Sequence, residues 1–182
     1  MGNRLIVFSD KSFDQISVRD WYGITNLRER VFVVEQNCPY LDADGKDFRA
    51  HHIMGRDRQD GIAAYARIVH PDNEPVSQSK LEYLSGQQKK NLVLEFEYVD
   101  SYVYMPAIGR VVLDPSLRGH EGGHSLMEYT MECCSKIYGH NPVFISAQKP
   151  LHDFYGLHGF MQSGPEYLED NIPHIPMILI YK

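Results

Sequence analysis

The sequence predicts one α/β (α+β) domain built on a mixed sheet flanked by helices. Three observations carry that expectation. Apolar residues switch along the chain between the two-residue repeat of strands and the three-to-four-residue repeat of helices. The resulting order is strand, helix, hairpin, insertion, strand, helix, strand, helix, strand. A chain of 182 residues, 43% hydrophobic and 23% charged, also suits a single full core, and no internal repeat or low-complexity linker divides it. One domain over 1–182 is therefore expected, with an insertion at about 71–105.

"RLIVF" (4–8) is the first strand. "SVRDWYGITNLRERVFVVEQ" (17–36) is a helix, with Ser17 and Asp20 at capping-box spacing. Trp21, Ile24, Leu27, Val31 and Val34 mark its apolar face. "NCPYLDADGKD" (37–47) is turn chemistry punctuated by Pro39 and Gly45. "HHIMGRDRQDGIAAYARIVH" (51–70) reads as a hairpin. Within the insertion "NLVLEFEYV" (91–99) alternates, with Leu92, Leu94, Phe96 and Tyr98 on one face, which predicts an extra edge strand. "AIGRVVL" (107–113) is a strand, "GHSLMEYTMECCSKIY" (123–138) a helix and "PVFISA" (142–147) a strand. "LHDFYGLHGF" (151–160) is a short helix ending near Gly159, and "IPMILIYK" (175–182) closes the chain as a strand.

Composition excludes several classes of function. Net charge is −6, which argues against a broad nucleic-acid surface. No apolar run approaches the ~18 residues that span a bilayer, and the first thirty residues lack the order of a signal peptide. Of three cysteines, Cys133 and Cys134 are neighbours in a predicted helix, poor geometry for a disulfide, so reduced thiols and a cytoplasmic setting are expected. The same mid-helix placement argues against a cysteine nucleophile. Nine histidines invite a metal site, but His51 and His52 are adjacent and would point to opposite faces of a strand; no metal is expected.

"RGHEGG" (118–123) stands between a strand and a helix. A helix start leaves backbone N–H groups unpaired and carries partial positive charge, and glycines let a ligand approach that backbone. Such a loop suits an anion, best a phosphate. Arg118 adds a bidentate donor. Glycines that merely turn the corner are the plainer explanation of the loop taken alone, and neither a P-loop ending nor G-x-G-x-x-G is present.

Taken together, "IGRVVLDPSLRG", the following helix and "FISAQKPLHDFYGLHGF" resemble the two core motifs of the Gcn5-related N-acetyltransferase (GNAT) superfamily. The family pattern Arg/Gln-x-x-Gly-x-Gly/Ala runs here as Arg118, Gly119, His120, Glu121, Gly122, Gly123, matching at Gly123 and departing at Glu121. "RERVFVVEQNCPYLDADGKD", "GIAAYARIV" and "NIPHIPM" are similar to its ElaA-like branch. The resemblance implies a GNAT fold: a single mixed, mostly antiparallel sheet, splayed in the middle. It also implies acetyl-CoA as co-substrate, with the pyrophosphate on the backbone of residues 118 to 124, His124 included, and the pantetheine arm along Val111, Val112 and Leu113. Gln148 stands near where the family often has an asparagine that bonds the pantetheine amide. Glu121 would repel a diphosphate, so its side chain is expected to face solvent.

Acetyl transfer needs a neutral amine, an acceptor for its proton and a donor for the departing thiolate. Tyr155 in "DFYG" matches the family tyrosine that protonates the thiolate, against the plainer role of a packed aromatic. For the base His174 in "NIPHIPM" ranks first, with His52 and Glu35 as rivals. Glu35, His52, Arg110 and Lys149 are candidates for the acceptor side; Arg67, Arg110, Lys149 and His152 would suit a phosphorylated amino sugar such as glucosamine phosphate, whereas acids 42, 44 and 47 would suit a polyamine. Each could equally be a solvated charge. The expected partner is a small-molecule amine, with no nucleic acid and no membrane, and a homodimer is compatible with strand pairing by the insertion. A protein or peptide N-acetyltransferase and a non-catalytic coenzyme A binding module are the alternatives.

Overall fold

The computed structural model describes residues 6–95, 98–99, 101–119 and 121–181, of which 91, 93–95, 98 and 99 are described in backbone only. In chain order the elements are β1 (Val7–Ser12), α1 (Val18–Arg28), β2 (His51–Arg56), β3 (Ile62–Val69), β4 (Val76–Ser77), α2 (Gly86–Glu95), β5 (Tyr98–Val99) and β6 (Tyr102–Val103). They continue with β7 (Ala107–Leu113), α3 (Gly122–Tyr138), β8 (Val143–Gln148), α4 (His152–Leu157), β9 (Met161–Gln162), β10 (Tyr167–Glu169) and β11 (Ile172–Leu179). The main sheet is mixed and mostly antiparallel, and β7 pairs in parallel with β8 at Ala107 and Phe144. No described helix is long and apolar enough to cross a membrane.

The chain divides into two compact units, Met1–Val69 with Ile108–Cys134, and His70–Ala107 with Ser135–Lys182. In the first, β1, β2 and β3 form an antiparallel meander and β7 lies next to β3. The side chain of Ser17 accepts the Asp20 N–H and starts α1. Ile24, Leu27, Val31, Met54, Tyr65 and Val112 form the core, with Trp21 packed against it. Val34 does not join them and is 74% exposed. From Glu29 to Glu35 the helix continues in π turns, whose wider period rotates Val34 away from the stripe that a 3.6-residue repeat predicts.

In the second unit β11 pairs antiparallel with β8, β9 and β10, and β4, β6 and β5 make a small separate sheet. The strand expected over 91–99 is mostly helix: α2 runs to Glu95 before the two-residue β5. Its start explains the difference. The Ser85 N–H donates to Gln88 Oε1 at 2.8 Å and the Gln88 N–H to Ser85 Oγ at 3.3 Å, a reciprocal cap set by S-x-x-Q. That local signal outweighs the period-2 pattern; Leu92 is buried from the helix, and Phe96 lies outside the described residues. The stretch 71–105 contributes buried Val76, Leu81, Leu84, Leu92, Val103 and Met105 to this unit's core. Cys38, Cys133 and Cys134 form no disulfide.

Candidate functional site

The loop after β7 is built by local necessities. Asp114 accepts the Ser116 N–H and caps a 3-10 turn over Pro115–Leu117. Gly119 then takes φ +73°, open to glycine at no steric cost. A Cβ at Gly122 would meet Leu113 Cδ2 at 3.0 Å and the Leu117 carbonyl oxygen at 3.2 Å, so packing under the loop itself favours glycine there. Two of the glycines thus have structural reasons that need no ligand.

What remains is the start of α3. The Ser125 N–H donates to the Glu121 carbonyl at 2.9 Å, so the helical ladder begins at Ser125 and the N–H groups of Gly122 and Gly123 precede it. A seventeen-residue helix adds the positive end of its dipole at that point. Glu121 is exposed, as electrostatics requires beside such a site. His120 lies outside the described residues. Arg118 is not a waiting cation: its guanidinium clasps Glu35 in a bidentate pair, with Nη2 to Oε2 at 3.0 Å. Both are about two-fifths exposed, so the pair contributes at most about 1 kcal/mol, and a phosphate could displace Glu35 at little cost. The hydrogen bond from Arg118 holds the Glu35 carboxyl below its ordinary pKa, a poor condition for a base. On β7 the Val112 side chain belongs to the core, leaving Val111 and Leu113 half-buried on the other face.

Three more candidates of this unit prove to be internal ties. His52 is fully buried: Nε2 donates to the Asp47 carbonyl at 3.0 Å and Nδ1 accepts from the Tyr65 hydroxyl at 2.7 Å. With both nitrogens engaged and desolvation pulling its pKa from 6.5 to about 4, it is a neutral structural histidine. Arg67 holds Asp47 at 2.8 Å and Asp44. Arg110 Nε binds Asp42 Oδ1 at 2.8 Å, while Arg28 reaches Asp42 Oδ2 at 2.7 Å and Asp47 at 2.9 Å. Three arginines and three aspartates cancel one another and pin the 37–47 loop. They offer neither cations to a phosphate nor carboxylates to a polyamine.

In the second unit strand register assembles a polar row. Tyr167 of β10 is opposite His174 of β11, which is opposite Gln148 of β8, so all three side chains leave the same sheet face. His174 Nδ1 is 2.8 Å from the Ile172 carbonyl, which can only accept, so Nδ1 carries the proton and Nε2 the lone pair. Beside it Ser146 contacts the Tyr167 hydroxyl at 2.5 Å and donates to Glu169 Oε2 at 2.7 Å. Burial pushes the Glu169 carboxyl up, but the Ser146 hydrogen bond, the Lys80 charge and the Tyr167 hydroxyl hold its pKa low, and an imidazolium at His174 would lower it further. Tyr155, on α4, is 4% exposed between Phe154 and Phe160, and desolvation raises its phenol pKa, which keeps it protonated. Lys149 is paired with Glu166 at 2.6 Å and His152 with Asp153 at 2.8 Å. Sequence reasoning missed Ser146, Tyr167 and Glu169. The i, i+2 spacing of Tyr167 and Glu169 would have placed them on one face, but only the register puts that face beside His174.

Comparison with known proteins agrees with this architecture. A model described as an acetyltransferase (GNAT) domain matches residues 86–181. The chain is 36% identical to the ElaA protein of Escherichia coli K12 over 95% of both chains, and 31% identical to a UPF0039 protein of Schizosaccharomyces pombe over 98% of this chain and 99% of that one. The crystal structure of Escherichia coli ElaA superposes with TM-score 0.75 at 34% identity over 96% of this chain and 99% of the other. So does an acyl-CoA N-acyltransferase from Pseudomonas aeruginosa, with TM-score 0.75 at 31% identity and the same coverage. The family match and these relatives define an acyltransferase of the GNAT class. The chain belongs to the ElaA-like branch of the Gcn5-related N-acetyltransferase family.

Proposed function

We propose that the protein is an acetyl-CoA-dependent N-acetyltransferase that moves an acetyl group directly to a primary amine of a small molecule in the cytoplasm. The observation that carries this is the start of α3, where the Gly122 and Gly123 N–H groups precede the helical ladder at a positive dipole end. They would hold the pyrophosphate of acetyl-CoA, with the β7 backbone at Val111–Leu113 beside the pantetheine arm and Gln148 as a further polar contact. The acceptor nitrogen attacks the thioester carbonyl, a C–N bond forms and the C–S bond breaks. His174 Nε2 takes the proton released by the amine, and Tyr155 returns one to the sulfur. The raised pKa of Tyr155 keeps its phenol protonated at neutral pH, at some loss of driving force toward a thiolate whose parent thiol is near 8.5. A lone pair on one nitrogen and a proton on a phenol favour an enzyme over a mute coenzyme A binding module.

The acceptor is a small primary amine. Glucosamine phosphate belongs in the first panel, although the internal pairing of Arg67 and Arg110 leaves it without the cations that recommended it. Isothermal titration of acetyl-CoA, followed by free-thiol release with a panel of amines, tests the assignment. Binding with amine-dependent release is expected. Binding without release on any amine would point to the coenzyme A module, and no binding would remove the loop from consideration.

A further inference from the structure

The second unit holds one of its own amines in a built setting. The Nζ of Lys80 lies 4.4 Å from the ring centroid of Tyr167 and 5.5 Å from that of Phe144, over the faces where a ring attracts a cation. The Tyr167 hydroxyl donates to Glu169 Oε2 at 3.2 Å, so the carboxylate lies just beyond the same ring. Phe144, Ser146 and Gln148 alternate on β8, which puts the rings, the carboxylate's partner Ser146 and His174 on one sheet face. An aromatic wall with a half-buried carboxylate behind it is the chemistry that recognises a primary ammonium.

The segment carrying Lys80 is fixed through its backbone, not its side chain. Ser163 Oγ donates to the Lys80 carbonyl at 2.6 Å, and the Tyr83 N–H donates to the Ser163 carbonyl at 2.8 Å. Gly164 lets that backbone come close: a Cβ there would stand 2.7 Å from the Ser79 carbonyl oxygen and 2.8 Å from the Lys80 carbonyl carbon. With the segment clamped from below, the alkylammonium arm of Lys80 is separable from its docking.

We propose that Tyr167, Phe144 and Glu169 form a slot for a primary alkylammonium group, occupied in the free protein by Lys80 and taken over by the acceptor amine. This rests on the assignment of the protein as an N-acyltransferase, and it narrows the acceptor to an amine on a flexible alkyl stem. That amine docks as its ammonium and gives one proton to His174 Nε2 before it attacks; the second passes to the Tyr155 oxygen once the phenol has protonated the sulfur. Lys80 is then a built-in competitor. An acceptor must displace it, and its removal strengthens acceptor binding.

Lys80→Ala removes the arm beyond Cβ, a fragment whose free counterpart is n-propylammonium, and leaves the backbone clamps in place. Titration calorimetry at neutral pH without acetyl-CoA should show n-propylammonium binding the variant at least about tenfold more tightly than the unmodified protein or Lys80→Arg. The neutral 1-propanol should bind at least about tenfold more weakly than the ammonium, and adding Glu169→Gln to Lys80→Ala should remove the preference. Equal binding to Lys80→Ala and the unmodified protein, or no preference for the cation, would overturn the slot. Amine-dependent thiol release by the unmodified protein is the separate readout for the acyltransferase. Its absence for every amine would end the acceptor role, while the calorimetry would still decide the slot.

Discussion

Two histidines illustrate how differently one residue type is used here. His174 keeps a lone pair on Nε2 because a backbone carbonyl claims Nδ1, whereas His52 spends both nitrogens on Asp47 and Tyr65 in the dry core. Nothing in "HHIMG" announces that difference; it follows from β2 turning the His52 side chain inward, toward Tyr65 of the adjoining β3. Because the folded pKa of His52 is depressed, the unfolded chain binds the extra proton first. The stability it lends is complete above about 6.5 and is lost as pH falls toward about 4. At about 1.4 kcal/mol per pH unit that gap is worth about 3 kcal/mol. Urea unfolding at pH 7, 5.5 and 4 should show this loss, and His52→Gln should flatten it; an unchanged slope in the variant would assign the loss to other groups. At the proposed active site Tyr155→Phe should lower kcat by ~10²–10⁴ while acetyl-CoA affinity stays near normal. Unaltered turnover in a direct thiol-release assay would dismiss Tyr155 as the acid. His174→Ala should flatten the acidic limb of the kcat/KM profile, and a superimposable profile would exclude it as the base.

At the scale of the element, β7 carries a cost in its middle. Arg110 adopts φ +52° within a strand, a left-handed conformation that costs an ordinary residue roughly 1–2 kcal/mol. Its guanidinium is held by Asp42 and Asp44 and lies 5.6 Å from the Tyr40 ring centroid, contacts that offset the strain just before the stretch assigned to pantetheine. Arg110→Ala loses the contacts and keeps the strain; Arg110→Gly loses the contacts and sheds it. Both should be destabilised, but the glycine variant should be the more stable by about 1 kcal/mol in chemical denaturation. The reverse order would mean that the backbone relaxes once the side chain is gone. The sequence marks "AIGRVVL" correctly as a strand over 107–113, and "GHSLMEYTMECCSKIY" as a helix to within a residue, because apolar period and flanking glycines agree there. It does not reveal the positive φ at Arg110, since arginine has no local reason for it and the cause lies in aspartates some seventy positions away. The π turns after Arg28 are equally silent, for a stripe of apolar residues at three and four reads the same until the extra residue per turn displaces Val34.

At the scale of the whole molecule the stretch 71–105 changes character. It lies outside the motifs legible in the sequence, and in the fold it lines the core of the unit that also carries Tyr155 and His174. Val76, Leu81, Leu84, Leu92 and Val103 are each at most 5% exposed, and burial of such side chains is worth roughly 1.5–3 kcal/mol apiece. Together they represent an amount comparable with the ~5–15 kcal/mol that holds a typical domain folded. The sequence conceals this because these apolar residues are spread over a 3-10 turn, a bend beyond it, a helix and two two-residue strands, with no single period to link them. Replacing 74–104 by a short Gly-Ser linker should therefore not yield a trimmed enzyme. The face of β8 at Phe144, over which Lys80 lies, would meet water, and the unit should lose fixed packing while keeping much of its backbone structure. Near-UV circular dichroism should collapse with far-UV signal largely retained, and limited proteolysis should cut readily within 135–182. A shortened protein that melts cooperatively with an intact near-UV spectrum would show that this stretch rests on the core without building it. Gly164→Val is the milder form of the same test, since its side chain would collide with the Ser79 and Lys80 backbone. It should loosen 78–83 first, raising proteolysis there before the unit as a whole gives way.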